Sequence, residues 1–252
     1  MAQPREANNP SFSTLVPQWE LAPGVKAVVT QRHDGSSSQP FNSFNLGDHV
    51  GDIPERVAEN RQRLVNQLQL PYSPTWLRQT HGNNVVDAGR VECDTEADAI
   101  FAAKPGLICA VLTADCLPIL LASDDGLEIA AIHAGWKGLL AEVIAAAIGK
   151  FRAPKHKISA WLGPCISKRH YQVGPELRDK FILADRAYAS AFEELNSRLY
   201  MALADVASVQ LENIGVREIV NCKICTFQRS DEFYSYRRDG VTGRFASLIW
   251  RE

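Results

Sequence analysis

The sequence has no uninterrupted apolar stretch near the roughly 18 residues that a membrane helix needs. Its best candidate, Leu107 to Ala122, is broken by Thr113, Asp115 and Pro118. A membrane span is therefore not expected. The opening MAQPREANNPSFS has no apolar core behind a basic start, so a secretory signal is not expected either. Lys and Arg form no run of five or six, and the formal net charge is -2. That leaves nucleic-acid binding without an electrostatic basis. No G-x-G-x-x-G follows a strand and no G-x-x-x-x-G-K-[ST] occurs, so dinucleotide and P-loop readings lose their main support. C-x-x-C occurs once, as CKIC (222–225), whereas a zinc ribbon needs two such pairs. There is no internal repeat, no low-complexity block and no convincing linker.

What is present is an ordinary globular mixture: 252 residues, 46% hydrophobic and 22% charged. That suits one large domain, with default placement in the cytoplasm. The six cysteines should then be mostly reduced. Residues 1–15 read as a loose tail and 16–252 as a single domain. A first strand is predicted over 24–32, then a long Gly/Ser/Asn/Pro segment over 33–52. Loops of that length are uncommon in compact domains and often functional. Apolar Val57, Leu64, Val65 and Leu68 predict an amphipathic helix over 53–70, with Pro54 in its first turn. TWLRQTHGNNVVDA (75–88) reads as strand, turn, strand. ADAIF gives a short strand before a Pro-Gly turn at 105–106, and strand material is predicted on both sides of 113–116. LEIAAIHAGWKG (127–138) reads as a strand running into a Gly-rich corner, ISAWLGPCIS (158–167) as a strand ending at Gly163-Pro164, and 216–227 and 243–252 as late strands. LLAEVIAAAIGKF (139–151) reads as the strongest helix, and 175–213 as two helices. Strands and helices do not alternate cleanly enough for a doubly wound parallel sheet. The expected class is α/β with mixed strands and peripheral helices.

The run LTADCLPILLA poses a chemical question. A carboxylate and a thiol should not sit inside a buried strand unless something uses them. Cys116 shares its situation with two histidines. His81 stands before a Gly-Asn-Asn turn, and His133 ends a strand and begins HAGWKG. A His2Cys set supplies three ligands with a fourth position open, the arrangement of a catalytic zinc. The spacings match no short zinc motif. A metal-free alternative makes Cys116 a nucleophile with His133 as its base. The bland reading is an inert buried thiol and two histidines that satisfy local hydrogen bonds. Asp115 has no clear role beyond capping or support of a ligand. Arg237 and Arg238 in SYRRDG suit an anion clamp or, more commonly, a solvated turn. NLGDHVGD (45–52) could cradle a ligand, with His49 in it or merely on the surface. Arg61 lies on the apolar side of its helix, where a charge wants a partner.

The segments FNSFNLGDHVGD, ENRQRL, WLRQTHGNNVV, ADAIF, LTADCLPILL, AAIHAGWKGLL, WLGPCIS, YQVG and FYSYRRDGVTGRFASLIW occur in this order. Together they resemble the YfiH-like family, also called the multicopper polyphenol oxidase or laccase-domain family, from about Val16 to Trp250. The resemblance implies a single-domain α/β (α+β) fold. This would be a layered αββα sandwich with mixed sheets, like the catalytic domain of cytotoxic necrotizing factor. It implies a metal site at His81, Cys116 and His133, with Asn45 and Arg61 lining it. Cys222 departs from the pattern, which carries one late cysteine matching Cys225.

The resemblance further implies a zinc enzyme of purine nucleoside metabolism. The implied reactions are phosphorolysis of adenosine, inosine, guanosine and methylthioadenosine, and deamination of adenosine. The partners would be small molecules, a purine nucleoside and phosphate, and the chain a monomer or weak homodimer. Older naming implies a copper-dependent polyphenol oxidase, and a third assignment an amidase that removes L-serine from muramic acid precursors. Chemistry ranks zinc hydrolysis and transfer above multicopper oxidation. Six histidines, three of them (His33, His156, His170) in segments without partner patterns, cannot build a multicopper cluster. Arg61 is the expected contact for phosphate or the leaving group.

Overall fold

Five strands, Ala99–Ala102, Ile108–Thr113, Leu117–Ser123, Ile129–Ala134 and Ile158–Leu162, are buried at every position, so both of their faces are covered. The computed structural model describes residues 13–252. In chain order the elements are β1 (Thr14–Leu15), β2 (Val25–Thr30), α1 (Pro54–Gln67), β3 (Val85–Asp87), β4 (Ala99–Ala102), β5 (Ile108–Thr113), β6 (Leu117–Ser123) and β7 (Ile129–Ala134). Then come α2 (Trp136–Leu140), α3 (Val143–Ile148), β8 (Ile158–Leu162), β9 (Gln172–Val173), α4 (Pro175–Ala184), β10 (Phe192–Leu195) and β11 (Arg198–Met201). The last are α5 (Leu203–Ile214), β12 (Glu218–Asn221), α6 (Tyr236–Asp239) and β13 (Phe245–Arg251).

Two sheets stack. The first is four-stranded and antiparallel, in the order β1-β2-β13-β5. The second is six-stranded, in the order β12-β8-β6-β7-β4-β3. It is mixed, because its two edge pairs are parallel and its inner pairs antiparallel. A small sheet, β10-β11-β9, lies apart.

The period of two along a strand divides its side chains between cores. In β5, Cys109 and Val111 face the six-stranded sheet, while Ile108, Ala110 and Leu112 face outward with Leu64 of α1. In β6, Leu120 and Ala122 join that central core, while Leu117, Ile119 and Leu121 pack with residues of α2, α3, α4 and α5. The result is a single-domain αββα sandwich, as the sequence implied. Truncating one of these side chains, such as Leu120→Ala, should cost about 2–5 kcal/mol.

Three local readings are corrected. The expected tail lies mostly outside the described residues, but Thr14–Leu15 at its end already pair with Thr30 and Val29. The expected hairpin over 75–88 keeps only its second strand; Arg78 makes an isolated bridge to Glu96. The amides of Thr80, His81 and Gly82 turn to the Asp98 carboxylate instead of joining a ladder. The single helix over 139–151 is two, broken at Glu142, whose φ is 61°. Side chains from elsewhere take the carbonyls near the break: Gln210 donates to Leu139 O at 2.8 Å and Asn83 to Ala141 O at 2.7 Å. Those tertiary bonds override the helix propensity of an alanine-rich stretch. The two helices expected over 175–213 are α4 and α5, with the β10–β11 hairpin between them.

Candidate active site

The puzzle of LTADCLPILLA resolves in the topology. Its apolar run is two strands in two different sheets. β5 belongs to the four-stranded sheet and β6 to the six-stranded one, and Ala114–Cys116 make the crossing. Asp115 turns there with φ 96°. Pro118 follows in β6, in register with His133. It has no N–H to donate, and pairing of β6 with β8 begins one residue later, at Ile119.

The β6–β7 and β4–β7 registers bring the donors together. Leu117 pairs with Ala134, so Cys116 lies across from the start of the Gly135 corner. Ala99 pairs with Ile132, so Asp98 is a cross-strand neighbour of His133. Asp98 is fully buried. Its Oδ1 meets His133 Nδ1 at 2.8 Å and accepts the His81 N–H at 2.8 Å. Its Oδ2 accepts from Gly82 N at 2.7 Å, Thr80 N at 3.2 Å and Thr80 Oγ1 at 3.1 Å. One carboxylate therefore fixes both histidines. His81, at φ 61°, is turned toward the site by a left-handed residue.

His81, Cys116 and His133 form one cluster, with their ligand atoms all within 4.8 Å of one another. Gly135 makes the approach possible: a Cβ there would lie 3.1 Å from both Cys116 Sγ and His81 Cδ2. Burial opposes a charged Cys116, but the His133 and His81 rings overcome it and bring the thiol from 9.0 down to about 6. Burial likewise opposes a charged His133, yet Cys116 and then Asp98 raise it to about 9. Elsewhere burial simply wins, and pushes Cys222 up to about 11. The donor set fits a metal. It offers a thiolate at neutral pH and a buried imidazole whose Nδ1 is taken by a carboxylate, leaving Nε2 for coordination. Among the described residues this is the one such cluster. Cys222 and Cys225 are free thiols outside it.

A cavity of about 430 Å³ opens over the trio. Trp136, Tyr171 and Tyr236 supply aromatic walls, Arg237 and Arg244 the cations, and His49 part of the rim. Neither Asn45 nor Arg61 lines it. Asn45 is buried beneath, where Oδ1 accepts from Gly47 N at 2.9 Å and Arg244 N at 2.8 Å, and Nδ2 donates to Asp52 at 2.8 Å. Arg61 donates to Leu46 O at 3.0 Å, pairs with Asp48 at 3.1 Å and stacks over Trp76 at 4.7 Å. Both hold the 45–52 loop.

Sequence reasoning missed Asp98, although it directly precedes an apolar strand in ADAIF. It left Asp115 open. That carboxylate accepts from Thr226 Oγ1 at 2.6 Å, Ser235 Oγ at 3.0 Å and Arg237 N at 2.7 Å. It pins the SYRRDG turn, which the sequence favoured as solvated, to the cavity wall. Asn60 was also missed. Its Nδ2 donates to Ser37 Oγ, Ser43 O and Asn45 O, organising the long loop from α1.

Comparison with known proteins identifies the family. The family model described as multi-copper polyphenol oxidoreductase laccase matches residues 26–252. The chain belongs to this YfiH-like family. It is 43% identical to a protein of Shigella flexneri named purine nucleoside phosphorylase YfiH, over 94% of this chain and 98% of that one. A crystal structure of a Neisseria meningitidis protein superposes with TM-score 0.91 at 39% identity, covering 95% of this chain and 99% of that one. A Bacillus licheniformis protein titled hypothetical protein YfiH gives 0.88 at 27% identity, with 98% of each covered. No helix among the described residues is long and apolar enough to cross a membrane.

Proposed function

We propose that this YfiH-like chain is a zinc-dependent purine nucleoside phosphorylase acting on adenosine, inosine, guanosine and methylthioadenosine, and that the same site deaminates adenosine. The observation that carries the reading is the soft donor trio under a cavity walled by aromatic rings and two arginines. The name borne by the Shigella relative supports it. In phosphorolysis a phosphate oxygen bonds to ribose C1′ as the C1′–N9 bond breaks. The purine leaves with the bonding pair and takes up one proton, giving ribose 1-phosphate and free base. In deamination, water adds at C6 and ammonia leaves, converting adenosine to inosine.

A bound zinc would act as a Lewis acid and make hydroxide available near neutral pH. The chain's own residues do the rest. Asp98 Oδ1 keeps a proton on His133 Nδ1 and fixes the ring. Trp136 and Tyr171 line the cavity and would pack against a purine base. Copper as the bound metal suits the family's older description, but one three-residue cluster is too few donors for a multicopper centre. The reading places the enzyme in the cytoplasm, where its free thiols stay reduced, as a monomer or weak homodimer.

Purified protein should carry near one zinc per chain. It should convert inosine and phosphate to hypoxanthine and ribose 1-phosphate. Cys116→Ala should lose metal and turnover together; full turnover in a metal-free variant ends the proposal. Preferential hydrolysis of muramoyl-L-serine precursors without nucleoside turnover would move the assignment to the amidase.

A further inference from the structure

Phosphorolysis needs a place for a doubly charged oxyanion beside the sugar. The helix residue Arg61 was the sequence's candidate, but its guanidinium is already committed to Asp48, Leu46 O and the Trp76 ring. Asp48 is a fully charged partner: the His49 bond, helped by Arg61 and opposed by burial, takes its carboxyl down to about 2. An anion bound at Arg61 would have to displace that carboxylate.

Two other guanidiniums stand in the cavity wall with no carboxylate partner among the described residues. Arg244 precedes β13. Its backbone N–H is held by Asn45 Oδ1, and its Nη1 donates only to Thr242 O at 2.9 Å and Gly243 O at 3.0 Å. Arg237 opens α6. Its backbone N–H is held by Asp115, its Nη1 donates to Gln172 O at 2.9 Å, and its guanidinium lies over Tyr171 at 5.0 Å. Each guanidinium carries five N–H donors in a planar fork. Most of those donors have no acceptor among the described residues. Both residues are anchored through their main chain by buried side chains, so the forks are placed before any ligand arrives.

We propose that Arg237 and Arg244 form the phosphate subsite of this cavity, and that Arg61 acts at a distance by holding the 45–48 loop under Arg244. That the anion is phosphate rests on the phosphorylase reading above. Two fixed positive forks match the charge of hydrogen phosphate and the bidentate geometry of its oxygens. The subsite also gives Asn45 and Asp115 a common purpose: each is a positioning residue for one arginine.

The test uses the zinc-loaded full chain as wild type, Arg244→Gln, Arg244→Lys, Arg237→Gln and Arg61→Gln. Each is titrated with inorganic phosphate by calorimetry. Each is then assayed for inosine phosphorolysis with phosphate varied, and for adenosine deamination, which consumes no phosphate. Arg244→Gln and Arg237→Gln should each weaken phosphate binding and raise KM for phosphate about tenfold or more. The rise in KM for phosphate should exceed any change in KM for the nucleoside or in the deamination rate by at least about fivefold. Arg244→Lys should recover part of the loss, because it keeps the charge and loses the fork. Arg237, at an exposed turn, keeps the test usable if Arg244→Gln folds poorly. Phosphate affinity unchanged in both glutamine variants overturns the subsite, as does a KM effect confined to Arg61→Gln. Wild type that binds no phosphate also overturns it. Wild type that binds phosphate through these arginines yet cleaves no nucleoside leaves the subsite standing and removes the phosphorylase reading.

Discussion

Asp98 and Asp115 are two buried carboxylates on either side of the same thiol, and they serve opposite halves of the site. Asp98 accepts from the 80–82 turn and from His133, so its bonds run to the metal-competent side chains themselves. Asp115 accepts from Thr226, Ser235 and Arg237, so its bonds run to the wall that faces substrate. Each satisfies its charge with hydrogen bonds, as a buried carboxylate must. The difference lies in what each one orients. One carboxylate organises the floor and the other the wall, and the two functions should separate on mutation.

The largest separation is expected in metal affinity. Asp98→Asn should weaken zinc binding about 10–100-fold, the usual cost of removing a carboxylate that orients a ligating histidine. Asp115→Asn should leave it within a few-fold, as read by chelator competition. Equal losses in both variants would erase the distinction.

The next effect is on the thiol of the metal-free protein. Cys116 is held at about 6, so its alkylation by iodoacetamide, followed by peptide mass mapping, should stay fast down to about pH 6 and fall below it. Without Asp98, His133 gives up its proton at lower pH and no longer supports the thiolate. The midpoint should then move up toward the ordinary thiol value. Asp115→Asn should not move it that way. A wild-type midpoint near 9 would show that the histidines do not stabilise the thiolate.

The smallest effect is on stability. Asp115→Asn keeps the shape but presents an amide N–H₂ to at least one donor, so it should cost about 1–3 kcal/mol. That corresponds to a fall of a few degrees in Tm, measured calorimetrically with zinc content retained. An unchanged Tm with unchanged phosphate KM would leave the Asp115 network without consequence.

Much of this arrangement was legible because strand ends and soft donors are local signals. Cys116 interrupts an apolar run, His133 ends one, and His81 precedes a turn. Their meeting could not be read from spacing, since it depends on β5 and β6 lying in different sheets. Asp98 was hidden by its neighbours: TEAD reads as a solvated acidic stretch, and only the β4–β7 register buries it against His133. Arg61 was misplaced because a charge on a helix's apolar side announces a partner but not which one. Here the partner is Asp48, on the loop the arginine holds. The break at Glu142 was invisible for a similar reason, since the bonds that cause it come from Asn83 and Gln210.

The position of β13 has a consequence for how the molecule is made. It is threaded between β2 and β5, and among the described residues no other strand joins those two. A ribosome therefore finishes every ligand of the trio long before the sheet beneath the cavity can close. Until residues 245–251 emerge, β2 and β5 each expose an unpaired edge, and the segment bearing Arg237 and Arg244 has only just been made. The donors of the trio are therefore all synthesised well before the strand and the two arginines that complete the sheet and the cavity wall.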